Sequence, residues 1–193
     1  YLEELMTYYQ LVEKEALLAI DQFCFEEGRQ KMKTARQSFE HIMKFIEKDE
    51  LLSMRFPVMK SEYYGDALCM EIYAMLFQQR FHPELYSEMC RLSDTALNQY
   101  PGGEGELERH RQYRSHIELE AGKYKSAMKW LARAICLPDE EPSEEMISKF
   151  LRTVVNGQEM IGAKYYLMYY LLILARAAKE DKEFARMMFL ELK

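Results

Sequence analysis

The 193-residue chain is predicted to be all-α, with about nine helices folded as stacked antiparallel hairpins. Three observations predict this. Apolar residues recur at three-four spacing along most of the sequence, the period that lines one face of a helix. Five Pro and eight Gly are all that punctuate it, too few for a strand-and-turn architecture. The connections between punctuated segments are short, and short connections make successive helices antiparallel neighbours.

The first helix is expected from Leu2 to about Phe23, with Leu2, Leu5, Met6, Tyr9, Val12, Ala16 and Ala19 on one side. The second runs from about Phe25 to Lys48 and aligns Met32, Ala35, Phe39, Ile42, Met43 and Ile46. Pro57 is expected to open a third reaching about Gln79, because proline is tolerated in a first helical turn. Pro83 opens the fourth, which stops at Tyr100-Pro101-Gly102-Gly103. The fifth spans about Glu104 to Ala121 and halts at Gly122, and the sixth spans Tyr124 to Cys136, ahead of Pro138. Ser143 is the expected N-cap of the seventh, with Glu144 and Glu145 at the positive end of its dipole. Asn156-Gly157 ends that helix. The eighth, tyrosine-rich helix is expected from about Glu159 to Lys179, and the last from about Asp181 to the end. Within the eighth, Tyr165 to Ala175 is uncharged. That run spans about 16 Å as a helix, roughly half a bilayer core, so it is read as a buried core segment with no membrane contact.

The chain is 49% hydrophobic and 30% charged, with a formal net charge of −6. It is too apolar for a disordered chain, and its acidity disfavours direct nucleic-acid binding, whose footprint is basic. Cys24, Cys69, Cys90 and Cys136 are far apart and form no CxxC pair, so no zinc site is expected. They are read as buried free thiols in apolar helical stretches, kept reduced in the cytoplasm. The start at Tyr1 shows no initiator Met, basic n-region or small-residue cleavage site. Residues 1–193 are therefore expected to form a single helical-repeat domain cut from a longer protein.

No catalytic constellation is found. His41, His82, His110 and His116 lack a Glu three residues earlier, so the ExxH motif of di-metal bundles is missing, as is HExxH. His110 and His116 are six residues apart, about 240° around a helix, and cannot share a metal from one face. Phosphate-cradling glycine motifs and GxSxG are absent. Gly102-Gly103-Glu104-Gly105 puts an acid where an anion would sit. The adjacent acids Glu3/Glu4, Glu26/Glu27, Glu140/Glu141 and Glu144/Glu145 are read as solvated faces or dipole partners. The expectation is a non-enzymatic chain with no metal and no cofactor.

Self-comparison carries more. Phe25, Gly28, Met32 and Ala35 have the spacing of Tyr124, Ala127, Leu131 and Ala134; Tyr86, Met89, Ser93 and Ala96 form a looser copy, and Ala185, Phe189 and Leu192 a fainter one. Small positions let a neighbouring helix approach, and large ones fill the gap between hairpins. Gly122-x-Tyr124-x-x-Ala127-x-x-x-Leu131-x-x-Ala134-x-x-Leu137-Pro138 resembles the second half of a tetratricopeptide repeat. Ser115 stands where that family has a small residue in its first helix, and Ala16 holds the same place ahead of Phe25. The family's first-helix Trp-Leu-Gly-Tyr set is missing, with Arg111, Arg114 and Glu118 in three of its slots. The intervals from Gly28 to Met89, Ala127 and Ala185 are 61, 38 and 58 residues, irregular and longer than the family's repeat.

The resemblance implies a TPR-like α-solenoid in which first helices line a concave groove. Its groove-facing positions are Arg109, Gln112, His116 and Glu120 in one hairpin and Gln10, Glu13, Leu17 and Asp21 in the first. The carboxylate clamp of chaperone-binding members wants Lys and Asn where this chain has Gln112 and His116, so that specificity is not implied. Between Glu108 and Arg133 seven Lys/Arg face three Glu, a patch suited to an acidic peptide or terminal carboxylate, or else a solvated face. Fourteen Met and the Tyr pairs Tyr8/Tyr9, Tyr63/Tyr64, Tyr165/Tyr166 and Tyr169/Tyr170 fit adaptable cores or grooves, one ring of each pair turned inward.

The expected function is a scaffold binding a peptide or protein segment. Similar arrays form the sensor part of bacterial regulators, including peptide-pheromone receptors. A closed bundle around a small apolar ligand and a structural or oligomerisation module are the alternatives, and the oligomeric state is open. On the sequence alone, Ala134→Leu is expected to lose about 1–3 kcal/mol by overpacking. Arg109→Glu with His116→Ala is expected to abolish partner binding with little change in thermal unfolding, since exposed substitutions shift stability by about 0.5 kcal/mol or less. Equal loss of folding in both variants would remove the distinction between core and groove.

Overall fold

A computed structural model describes residues 1–55, 64–76, 78, 82–136, 145 and 163–190. Among them are nine helices and no strand: α1 (Leu2–Asp21), α2 (Phe25–Glu47), α3 (Glu50–Arg55), α4 (Tyr64–Leu76), α5 (Leu85–Gln99), α6 (Glu104–Glu120), α7 (Tyr124–Cys136), α8 (Ala163–Glu180) and α9 (Lys182–Leu190). The chain divides into two compact units, Tyr1–Tyr113 and Arg114–Lys193.

In the first unit α1 packs on α2, α2 on α3 and α4, and α4 on α5. The expected apolar stripes are buried at Tyr9, Val12, Ala16 and Ala19 of α1 and at Met32, Ala35, Phe39, Ile42, Met43 and Ile46 of α2, while Leu2, Leu5 and Met6 of α1 are half-buried. Tyr9, Val12, Ala35, Phe39, Ile42, Met43 and Ile46 meet Ala67 of α4 in one cluster, while Ala16, Ile20 and Met32 meet Ala74 in another. α4 buries Ala67, Leu68, Cys69, Ile72, Ala74 and Met75 around most of its circumference, as a helix with neighbours on several sides must. Arg36 ties α2 to α4: its Nε donates to the buried Glu71 carboxylate, and its Nη1 donates to Glu40. The Tyr64 hydroxyl donates to the same Glu40 at 2.6 Å. Removing one member of such a buried pair costs about 3–5 kcal/mol, because a charge is left without compensation.

The first hairpin turns on Phe23 in the left-handed region at φ 62°. Its N–H donates to Ile20 O at 2.9 Å, and the Cys24 N–H donates to Ala19 O at 2.8 Å. Gly122 makes the same turn at φ 73°, with its N–H on Leu119 O at 3.0 Å and that of Lys123 on Glu118 O at 2.9 Å. Both are Schellman-type caps, for which Gly is the favoured residue. Beyond each turn the helices close on a small residue. A Cβ on Gly28 would lie 2.6 Å from Ile20 Cγ1 and 3.1 Å from the Ala16 carbonyl oxygen. At the corresponding place Ser115 Oγ donates to the Ala127 carbonyl at 2.7 Å.

In the second unit α7 packs on α8, and α8 on α9. Tyr124, Ala127, Met128, Leu131 and Ala134 of α7 share a core with Tyr170, Ile173 and Ala177 of α8 and Phe184 and Ala185 of α9. The Tyr124 hydroxyl reaches Glu180 Oε2 at 2.5 Å.

Several expectations are revised. The six-residue α3 was not expected; the Asp49 carboxylate accepts from the Leu52 N–H at 3.1 Å and supplies its N-terminal cap. Pro83 precedes α5 by two residues, in a turn where the Leu85 N–H donates to His82 O at 3.0 Å. Cys24 is exposed in the first hairpin turn rather than buried; Cys69 is buried and Cys90 intermediate. The Pro57 helix start and the Ser143 and Asn156-Gly157 boundaries lie outside the described residues. No described helix is long and apolar enough to cross a membrane.

Gly28→Ala is expected to lower the unfolding free energy by about 1–3 kcal/mol, since Ile20 and the α1 backbone must yield. Gly122→Ala has room for its methyl and should lose only the conformational term, about 1 kcal/mol. Urea denaturation of both variants checks this. An unchanged Gly28→Ala protein would show that α1 and α2 are not in backbone contact there.

Candidate functional site

Three helices bring charged groups together in the first unit. α1 supplies Glu13, whose carboxylate accepts from Tyr9 Oη at 3.3 Å. α4 supplies Asp66 and α6 supplies Arg109, joined at 3.0 Å. Burial raises the Asp66 pKa; Arg109 pulls it back and Glu106 pushes it further up. Burial also raises Glu13, with the negative charge of Asp66 adding to the rise. Burial, followed by the charges of Glu13 and Asp66, lifts the Tyr9 phenol. Burial likewise lifts Tyr113. Leu17 of α1 and Met70 and Tyr73 of α4 pack partly buried against the Ala16–Ile20–Met32–Ala74 cluster.

Behind this surface His110 accepts or donates at two fixed points. Its Nε2 lies 3.1 Å from the Tyr100 carbonyl and its Nδ1 2.9 Å from Cys69 Sγ. A carbonyl only accepts, so Nε2 carries the proton and Nδ1 accepts from the thiol. Both side chains are buried, and burial pushes the Cys69 thiol up to about 12. The pair thus holds α4 to α6 as an S–H···N bond and presents no thiolate nucleophile at neutral pH. Gly65 permits the contact, since a Cβ there would lie 2.9 Å from His110 Nε2. Among the described residues no three His, Cys, Asp or Glu are grouped to hold a metal.

Of the eight residues expected in a groove, Glu13 and Arg109 converge on Asp66. Gln10 and Asp21 are exposed on α1, and Leu17 is half-buried. Gln112 donates to Glu108 at 3.1 Å. His116 and Glu120 are bound into the second unit instead. The His116 ring stacks on Tyr169, with centroids 4.1 Å apart and planes at 16°, and Arg176 donates to Glu120 at 2.6 Å. The basic patch is also internally matched in part: Arg109 holds Asp66, Arg114 pairs with Glu118 at 3.0 Å, and the Arg114 and Arg133 guanidinium carbons lie 5.5 and 4.7 Å from the Trp130 ring centre. Neither substitution in the double variant Arg109→Glu/His116→Ala is therefore at a merely solvated position. Asp66, Met70, Tyr73 and Tyr113 escaped the sequence reading. The available signal was an acid in the otherwise apolar Tyr64–Leu76 segment, where Asp66 and Glu71 are the charged residues.

Burial lowers His116 to about 4, against about 6.5 for an unfolded histidine. The folded state therefore favours the neutral ring. This stabilisation is complete above about pH 6.5 and is lost as pH falls toward 4, up to about 3 kcal/mol. His116→Phe keeps a ring against Tyr169 but does not titrate. Its unfolding free energy should fall less between pH 6.5 and 4 than that of the unsubstituted protein. The opposite contributions of Glu13 and Asp66, whose raised values favour the protonated fold, are common to both proteins and cancel in the difference. Parallel pH profiles would place His116 in solvent.

No protein-family model, curated protein or solved structure matches this chain.

Proposed function

We propose that this chain is a non-enzymatic scaffold of tetratricopeptide-like hairpins that binds a peptide or extended protein segment on a concave surface. α1, α4 and the first half of α6 line that surface. The carrying observation is the convergence of Glu13, Asp66 and Arg109, one from each of these helices, beside Leu17, Met70 and Tyr73. First helices of successive hairpins lie side by side in such an array, with the second helices behind them. The matched turns at Phe23 and Gly122, and the matched contacts of Gly28 with α1 and of Ala127 with Ser115, support a repeated unit.

The charges favour a basic segment over the acidic one that the local Lys/Arg excess pointed to. Glu13 and Asp66 repel one another and Arg109 is already engaged by Asp66, so an incoming cation relieves repulsion whereas an incoming carboxylate adds to it. Half-buried Leu17, Met70 and Tyr73 supply adaptable apolar contact. A role as the sensor part of a bacterial regulator extends this proposal by resemblance only.

A photo-reactive benzoylphenylalanine placed at Leu17, and separately at exposed Gln37 of α2, tests the surface. A library of lysine-containing peptides should label the Leu17 protein saturably and leave the Gln37 protein unlabelled. Lysine-free acidic peptides should label neither. Equal labelling at both positions, or none at Leu17, would overturn the proposal.

A further inference from the structure

The surface lined by α1, α4 and α6 repeats one short pattern on each helix. A charged residue is followed four positions later by an apolar or aromatic one: Glu13 and Leu17 on α1, Asp66 and Met70 on α4, Arg109 and Tyr113 on α6. Residues four apart share a helix face and are separated by about 6 Å along the axis. All six are half-buried, so each keeps part of its surface open to a ligand.

The three helices carry this pattern side by side and in the same direction. Tyr9 and Val12 of α1 share a cluster with Ala67 of α4, and Ala16 and Ile20 share the following one with Ala74. The order is the same along both helices, so α1 and α4 run the same way. Arg109 pairs with Asp66 at 3.0 Å, and one turn later Tyr113 lies within electrostatic reach of Tyr73, so α6 follows α4. The charged residues therefore form one tier. Within it burial and then the charge of Asp66 raise Glu13, against smaller pulls from Tyr9 and Lys14. Leu17, Met70 and Tyr73 pack on a single cluster and form, with Tyr113, an apolar tier one helical turn further on. Along α1 that tier ends at exposed Asp21.

An extended chain places residues i and i+2 on one side, about 6.6–6.8 Å apart. That spacing matches the step between the tiers. Residues i and i+1 point to opposite sides, and i and i+4 stand about 13 Å apart. A helical ligand needs apolar contact over about two turns, and this surface offers one, with Glu13 and Asp21 on either side of Leu17. We propose that the surface reads a two-point motif in an extended segment: a basic side chain at the Glu13–Asp66 tier and, with one residue between, an apolar side chain at the Leu17–Met70–Tyr113 tier. The intervening residue points away from the surface. This motif rests on the peptide-binding reading given for the same surface and adds which side chains are recognised and at what spacing.

Methyl-13C methionine NMR on the full chain reads the apolar tier through the Met70 methyl, assigned with Met70→Leu. Acetylated and amidated serine peptides carry one lysine and one leucine with zero, one, two or three serines between them, in both orders. A one-serine peptide should shift the Met70 methyl saturably, with a Kd about tenfold below those of the other spacings, which lose one of the two contacts. Replacing its lysine by norleucine should weaken binding about tenfold to the unsubstituted chain and less to Glu13→Gln. Tightest binding at one serine supports the proposal, and the preferred order of lysine and leucine gives the direction of the segment. Equal Kd at all spacings, tightest binding at any other spacing, or the same response to norleucine in both proteins overturns it while the peptide-binding reading stands. No shift at Met70 with any peptide overturns it as well, and photo-labelling at Leu17 then decides separately whether the reading falls.

Discussion

Two helices approach to backbone distance only where a side chain is missing or very small, and the described residues meet that condition twice in the same way. Gly28 lies against the Ala16 carbonyl, and the Ala127 carbonyl receives the Ser115 hydroxyl. In each hairpin twelve residues separate the two partners, and the same left-handed turn lies between them. One inserted residue would rotate the second helix by about 100° relative to the first and carry Met32 or Leu131 out of its core. The short turn and the small contact are therefore one constraint, and the apolar stripes of α2 and α7 are useful only because it is satisfied.

The orientation of α4 follows from a different device. Its apolar surface is nearly continuous, so hydrophobic burial alone sets its rotation weakly. Its two charged residues, Asp66 and Glu71, are five positions apart, roughly 140° around the helix axis. One engages Arg109 of α6 and the other Arg36 of α2. Two ion pairs on well-separated sides fix the rotation that burial leaves open. They also direct Asp66 to the side where Glu13 lies and carry Tyr64 to Glu40, so the proposed binding surface depends on them.

The parts of this arrangement legible in the sequence are those encoded locally. α7 runs from Tyr124 to Cys136 as the glycine, proline and periodic residues predict, and the small residues of both hairpins are recognisable by spacing. α3 was not legible, because one turn and a half of helix has too few residues to show a period, and its Asp49 cap is a single residue. The groove positions transferred poorly at His116 and Glu120, whose partners Tyr169 and Arg176 lie more than fifty residues away in sequence. Arg109 looked like a receptor for an anion until Asp66, forty-three residues earlier, was placed beside it. Charge composition along a segment reports which charges are present, and only the fold decides which ones meet.

Phe23 and Gly122 close their turns with the same pair of hydrogen bonds, yet only one of them is glycine. Phe23 holds the left-handed conformation with a side chain 81% exposed, so little packing offsets the backbone energy stored there. The first turn is accordingly the shallower of two equivalent wells, and its opening needs no disturbance of the core beneath. Amide protons record such openings: that of Cys24 should leave for solvent deuterium sooner than that of Lys123, although each is bonded to a carbonyl at nearly the same distance. Two turns with the same hydrogen bonds thus differ in how readily they open.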